Sequence, residues 1–377
     1  MKVCARRTYA LHGELRQPNC ANIIGAPTRQ EAIRDNEEER RRIRVLNVLV
    51  TMPFTEEQLT PLRNVSPEVQ VTCEGAERAD YSRTDVLYAG SPPRDLARAP
   101  RLRWVQVHMA GVNALYEHPL YRDTAIALTT TSGVHAATIA EYAITMLLAL
   151  AHRVPRMVEW QGRGTWPPDE DRWSLFVPTE IRGAVLGIIG YGSIGRELAR
   201  IAKTAFGMSI LACKRRPSER ADAGYTLPGT GDPEGRLPDA WFAPEQLSEL
   251  LARSDAVVMC APLTPKTTGM IGAAALRAMK PSAYFINVGR GATVDEMALA
   301  QALREKRLAG AAIDVFAQEP PPAEHPLYAL DNVIVSPHVS GFLPSYDDKC
   351  AALFAENLRR YLAGAPLLNL VDRATGY

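Results

Sequence analysis

The stretch Val185-Leu186-Gly187-Ile188-Ile189-Gly190-Tyr191-Gly192-Ser193-Ile194-Gly195 constrains this chain more than any other. An apolar run suited to a strand buried on both faces meets a glycine-rich turn. Gly190 permits the turn, Gly192 lets a pyrophosphate approach the backbone, and Gly195 allows close packing of helix on sheet. The run that follows, from about Ser193 to Thr204, is amphipathic, with Ile194, Leu198, Ile201 and Ala202 on one face. Its first turn would aim unpaired amides and the positive end of a helix dipole at phosphate. GxGxxG alone is a weak signal. The strand before it and the helix after it favour dinucleotide binding over a plain glycine-rich turn.

A chain of 377 residues exceeds one ordinary core. At about 150 residues per domain it is expected to hold two, with a cleft between them. A formal charge of +1 with 23% charged residues gives no footprint for nucleic acid or a membrane surface. The six cysteines (4, 20, 73, 213, 260 and 350) include no CxxC and no His-rich neighbour. Neither a disulfide framework nor a metal site is expected, and a reducing cytoplasm fits. The longest apolar run, Tyr142 to Ala151, is about half the length that spans a bilayer and reads as a core helix.

Residues 1–43 mix Arg, Pro, Asn and Gly and end in a charge run, so they read as an appended extension. From there five strands are expected, Val45 to Val50, Val69 to Cys73, Asp85 to Ala89, Trp104 to His108 and Ile126 to Thr130, with short helices between them. Thr138 and Glu141 have capping-box spacing and open a long helix through Ala151, near which a hinge is placed. The stretch 153–182 carries Trp160, Trp166 and Trp173 among Pro, Gly and charges. It reads either as an interface arm or as a loop folded back on its own domain.

The rhythm then repeats with six strands, Leu186 to Ile189, Ser209 to Ala212, Ala256 to Cys260, Tyr284 to Val288, Ala311 to Val315 and Val333 to Val335. Asp295 is a plausible N-cap for a helix to Arg304, and the segment 217–244 reads as a Gly- and Pro-rich surface insertion. A last helix, about Tyr346 to Leu362, is expected to return to the first lobe. The fold class is therefore α/β, with two doubly wound parallel-sheet lobes. The expected division is residues 44–150 plus 338–377 for the substrate and 151–337 for the dinucleotide.

Chemistry-bearing residues of the second lobe fall just past strand ends, where open parallel sheets bind ligands. Arg290 between Gly289 and Gly291 is placed to bind a carboxylate with its planar fork, or is a solvated surface arginine. His338 reads either as a capped surface imidazole or, with Glu319 on the adjacent strand end, as a proton donor whose tautomer a carboxylate fixes.

With the glycine turn, the segments Pro262-Leu263-Thr264-Pro265-Lys266-Thr267, Asn287-Val288-Gly289-Arg290-Gly291, Asp314-Val315-Phe316-Ala317-Gln318-Glu319-Pro320 and Ser336-Pro337-His338 resemble the D-isomer-specific 2-hydroxyacid dehydrogenase family. The resemblance runs from about Val45 to Val371. It implies a Rossmann dinucleotide-binding domain, a flavodoxin-like substrate domain, a homodimer and a triad of Arg290, Glu319 and His338. It implies hydride transfer between a nicotinamide and C2 of a small 2-oxo or 2-hydroxy acid, with D stereospecificity. Substrate contacts would fall on Met109, Ala110, Gly111, Arg290 and His338, although residues 109–112 are otherwise an ordinary turn. Cofactor contacts would fall on Gly190, Gly192, Ser193, Ile194, Gly195, Ala261, Pro262, Thr267, Val288, Asp314 and His338. Asp314 is associated with the nicotinamide carboxamide or is simply a capping aspartate.

The chain departs from that pattern in the extension, the 217–244 insertion and Phe342, which narrows the pocket or merely packs. The fourth departure is at the end of the second strand of the second lobe. Where an acid usually accepts from the adenosine ribose, this chain has Lys214, Arg215 and Arg216. Three cations there favour NADP(H) over NAD(H). Two rivals stay open: a dinucleotide-sensing scaffold resembling the corepressors on this fold, and a formate dehydrogenase. Glu319 argues against the second, because the resembling enzymes carry Gln there.

Overall fold

The computed structural model describes residues 45–376. The extension expected over 1–43, with Cys4 and Cys20, lies outside the described residues. The first lobe is an all-parallel sheet in the order β2-β1-β3-β4-β5, formed by β1 (Leu46–Val50), β2 (Val69–Cys73), β3 (Val86–Ala89), β4 (Trp104–Val107) and β5 (Ala127–Thr129). This is the flavodoxin-like order. β3 and β4 are buried along their whole length, as parallel strands covered on both faces must be. Helices α1 (Glu56–Arg63) and α2 (Pro119–Arg122) belong to this lobe. The last helix of the chain, Tyr346–Leu362, spans the expected residues and packs on the same sheet. Its Phe354 ring lies 4.9 Å from that of Tyr88 and 5.3 Å from that of Trp104. Burying a side chain of that size contributes roughly 1.5–3 kcal/mol.

The second lobe is a seven-stranded parallel sheet, β12-β11-β10-β9-β6-β7-β8. Its strands are β6 (Val185–Ile189), β7 (Ser209–Cys213), β8 (Ala240–Phe242), β9 (Ala256–Met259), β10 (Tyr284–Asn287), β11 (Gly310–Ile313) and β12 (Val333–Val335). Counted from β6, the order is the 3-2-1-4-5-6 of dinucleotide-binding sheets plus one edge strand. After α2 the helices are α3 (Ala136–Ala151), α4 (Val154–Gly162), α5 (Asp169–Phe176), α6 (Ser193–Phe206), α7 (Leu247–Arg253), α8 (Ala273–Ala278), α9 (Glu296–Arg304) and α10 (Tyr346–Leu362). Asp295 caps α9 as expected, accepting from the Ala298 amide at 3.0 Å. Among the described residues no single helix is long and apolar enough to cross a membrane.

Three expectations are corrected. α3 begins at Ala136, so Thr138 and Glu141 lie inside the helix and form no capping box. A backbone turn starts it instead, with Val134 N donating to Thr131 O and Ala136 N to Gly133 O. α3 buries its apolar face against the core of the second sheet. The stretch 153–182, read as an interface arm or a loop folded back on its own domain, is not a simple loop: it holds two helices, and Arg156 pairs with Asp331 of the second lobe at 2.9 Å. Trp166 and Trp173 are 80% and 81% exposed, while Trp160 packs against Phe176 with ring centroids 6.3 Å apart.

The third correction is the 217–244 segment, which is no mere surface insertion. It supplies β8, paired with β7 through Leu211 and Ala240. Before that it crosses from one lobe to the other as a strap anchored on buried charge. Arg196 and Glu197, near the start of α6, are each 2% exposed. Arg196 donates to Asp222 at 3.1 Å, to the Arg220 carbonyl at 2.7 Å and to the Asp232 carbonyl. Glu197 accepts from Gly231 N at 2.6 Å, and Tyr191 of the glycine turn donates to Asp232 at 2.8 Å. On the other side Tyr225 N donates to Asn369 at 3.0 Å, and the Tyr225 carbonyl presses so closely on Gly133 that a Cβ there would lie 2.2 Å from it.

Candidate active site

The glycine turn and the end of β9 face each other where the strand order of the second sheet reverses. Gly190 has φ +97°, and a Cβ on it would lie 2.6 Å from the backbone of Ala261. A side chain at that position would close the crevice. The first backbone bond of α6 runs from Arg196 N to Gly192 O at 2.9 Å, which leaves the amides of Ser193, Ile194 and Gly195 without an acceptor in the helix. Orphan amides at a turn that admits no Cβ fit a dinucleotide's phosphates. Opposite them, Ala261 and Pro262 begin a turn that Thr267 fixes, its hydroxyl donating to Pro262 O at 2.7 Å and accepting from Thr264 N at 2.8 Å. Val288 is buried just past β10.

The basic run follows β7. The Lys214 ammonium donates to the Glu219 carbonyl, and Arg216 pairs with the Glu219 carboxylate at 3.1 Å. Burial and the nearby Arg196 charge lower the Lys214 pKa. Arg215 stands in electrostatic range of Asp372.

Arg290, Glu319 and His338 follow β10, β11 and β12, three adjacent strands. His338 Nδ1 lies 2.8 Å from Glu319 Oε2, and Glu319 Oε1 accepts from Phe316 N at 2.9 Å. Both side chains remain partly exposed, as a pair lining a cleft should be. His338 has the left-handed φ of +54°. Buried Asp314 holds that backbone: its carbonyl accepts from His338 N at 2.8 Å, and its carboxylate accepts from Ser336 Oγ at 2.6 Å, Val339 N at 2.9 Å and Ser340 N at 3.1 Å. Asp314 is therefore the capping aspartate of the loop that carries the histidine. Arg290 crosses to the first lobe. One of its terminal nitrogens would lie 2.7 Å from a Cβ placed on Gly111, and the other donates to Gly289 O at 2.7 Å. Burial lowers the Arg290 pKa and the Glu319 charge opposes that shift. Gly111, at the end of the turn Met109-Ala110-Gly111, thus lies against a guanidinium, a group whose planar fork suits a carboxylate.

Sequence reasoning missed His135. It lies two residues beyond Ser132-Gly133, a strand-end cluster that the sequence does mark, and its ring stacks on Tyr346 with centroids 5.8 Å apart and planes 15° apart. Burial, with the Arg290 and His338 charges, pushes its pKa down to about 4. The Tyr346 hydroxyl donates to His108 O at 2.8 Å and meets Thr131 Oγ1 at 3.0 Å. Phe342 is 74% exposed, so it does not pack.

The family model for the D-isomer specific 2-hydroxyacid dehydrogenase, NAD binding domain, matches residues 144–340. The chain is 35% identical over 284 residues to a glyoxylate reductase of Aeropyrum pernix, covering 74% of this chain and 78% of that protein. It is 37% identical over 278 residues to a glyoxylate reductase of Thermococcus gammatolerans, covering 73% and 78%. A D-isomer specific 2-hydroxyacid dehydrogenase from Xanthobacter autotrophicus Py2, solved in complex with NADPH and MES, has a TM-score of 0.71 at 30% identity, covering 88% of this chain and 99% of that one. An NADPH-dependent glyoxylate/hydroxypyruvate reductase from Sinorhizobium meliloti, solved in complex with citrate, has a TM-score of 0.65 at 27% identity, covering 87% and 98%. The chain belongs to the D-isomer specific 2-hydroxyacid dehydrogenase family, and as an enzyme of that family it moves a hydride between a nicotinamide and C2 of a 2-oxo or 2-hydroxy acid.

Proposed function

We propose that this enzyme reduces small 2-oxo acids of the glyoxylate and hydroxypyruvate class, with NADPH preferred to NADH. The observation that carries the reading is Arg290 reaching across the cleft to Gly111 beside the Glu319–His338 pair. Arg290 would take the substrate carboxylate with the backbone of Met109, Ala110 and Gly111 and polarise the C2 oxygen. His338, its Nδ1 held by Glu319, turns Nε2 to that oxygen and delivers the proton in reduction. Glu319 fixes the orientation of the ring. A dinucleotide held by its phosphates at residues 190–195 would supply the hydride from its nicotinamide, and the protein supplies orientation and charge.

His338→Ala should lose about 10²- to 10⁴-fold in turnover with a smaller change in KM, whereas Arg290→Ala should lose both. Reduction needs His338 protonated and oxidation needs it neutral, so the two directions should show opposite pH limbs. Near-native turnover of His338→Ala at pH 7, or identical pH profiles, would remove the assignment.

The cofactor preference rests on Lys214, Arg215 and Arg216 where an acid would repel a 2′-phosphate, and on NADPH in the related Xanthobacter enzyme. A charge-assisted bond contributes about 1.5–3 kcal/mol, so one well-placed cation shifts preference about tenfold or more. Lys214→Asp with Arg215→Ala should reverse or abolish the NADPH:NADH ratio of kcat/KM. A wild-type preference for NADH would end the idea.

The same reading takes 44–150 plus 338–377 as the substrate domain and 151–337 as the dinucleotide domain. It assigns the exposed arm of α4 and α5 to a two-fold dimer interface, and the enzyme to the cytoplasm. Exposed apolar surface on that arm, including Val158 and Trp173, supports the dimer.

A further inference from the structure

We propose that His135 reads the substituent on C3 of the 2-oxo acid, offering its two ring nitrogens to a C3 hydroxyl. The inference rests on the 2-oxo acid reading above. It starts from position. His135 leaves the first lobe at the start of α3, stacks on Tyr346, and has its Cγ 3.7 Å from where a Cβ on Gly341 would lie, three residues beyond His338. It stands within electrostatic range of both Arg290 and His338. On this proposal, a substrate whose carboxylate lies on Arg290 and whose C2 oxygen meets His338 would extend its third carbon toward this wall.

The surrounding polar groups are already committed. Ser336 is bound to Asp314 and Tyr142 to Ser336. The Tyr346 hydroxyl serves His108 O and Thr131, and Glu319 serves His338. Among the described residues nothing hydrogen-bonds either ring nitrogen of His135, and neither nitrogen is among the sealed, unpartnered polar atoms, Gln106 Nε2 and Arg373 Nε. Each nitrogen therefore keeps some exposure and has no protein partner. An imidazole with both nitrogens free satisfies a hydroxyl in either orientation.

Charge narrows the ligand further. A cationic His135 beside Arg290 would suit a second carboxylate. Burial keeps the ring neutral near pH 7, so a hydroxyl is the better match. A site that hydrogen-bonds a substrate hydroxyl rejects the analogue lacking it, because the protein group is then left unpaired. The expected order is hydroxypyruvate over pyruvate by about tenfold or more in kcat/KM.

The test uses the full-length enzyme with glyoxylate, hydroxypyruvate and pyruvate, each with NADPH and NADH, for wild type, His135→Leu and His135→Gln. His135→Leu should bring the hydroxypyruvate:pyruvate ratio to within about threefold of unity, chiefly by raising KM for hydroxypyruvate. His135→Gln keeps a donor and an acceptor and should retain part of the ratio, which also guards against a leucine variant that fails to fold. A loss shared equally by all three substrates, or a ratio unmoved in both variants, overturns the proposal while leaving the 2-oxo acid reading intact. A wild type that turns over none of the three overturns both.

Discussion

Arg196→Met tests whether the 217–237 strap is integral to the nucleotide lobe. The substitution keeps most of the aliphatic stem and deletes a guanidinium that is 2% exposed. It removes the bonds to Asp222, Arg220 O and Asp232 O, and the placement of the cation 5.0 Å from the centre of the Tyr191 ring. Three charge-assisted bonds at about 1.5–3 kcal/mol each would overstate the loss, because one side chain makes them all and they are not independent. Breaking a buried pair by removing one partner costs about 3–5 kcal/mol. Asp222 is 32% exposed and can regain water, which places the expected loss near the lower end, about 3 kcal/mol.

At about 2–4 °C per kcal/mol for a lobe of this size, the melting temperature should fall by roughly 6–12 °C. The Tyr191–Asp232 and Glu197–Gly231 bonds remain, so the lobe should still fold while the strap opens more often. Limited trypsin digestion should then cut faster at Arg220 and Arg236. A melting temperature within about 1 °C of wild type, with unchanged cleavage at Arg220, would refute the buried-anchor reasoning.

His135 should make stability fall in acid, because its folded pKa of about 4 lies below the unfolded value of about 6.5. The contribution is fully present above pH 6.5 and is lost as pH falls toward 4, by about 3 kcal/mol, since the imidazolium would sit against the Arg290 and His338 charges. The stability difference between wild type and His135→Gln should therefore shrink or change sign between pH 7 and 4.5. A constant difference across that range would contradict the buried, neutral ring. For the arm, sedimentation should give a dimer at micromolar concentration and Trp173→Glu should weaken it; a wild-type monomer would remove that interface.

What was legible in the sequence is what is written locally. The glycine turn is a contiguous motif, and each triad residue follows an apolar run that could be nothing but a strand. β8 was hidden because its three residues, Ala240–Phe242, are too few to show alternation, and only pairing with β7 makes them a strand. Arg196 and Glu197 sit on what reads as the polar face of an amphipathic helix. Nothing near them in sequence says that residues 220–232 will cover that face and bury both charges.

His135 failed to stand out for the same reason: histidine is common on surfaces, and its chemistry here comes from Tyr346, Arg290 and His338, which lie 155 or more positions away in the chain. The strap and His135 are also neighbours through one residue. Gly133, two positions before His135, is the glycine on which the Tyr225 carbonyl rests. The backbone turn from Thr131 to Ala136 that starts α3 is therefore held by the strap on one side, while it carries the imidazole on the other. A strap anchored on α6 thus bears on the turn that carries His135. Through the packing of the Tyr225 carbonyl on Gly133 the strap reaches the backbone of that turn two residues before His135, without touching its ring.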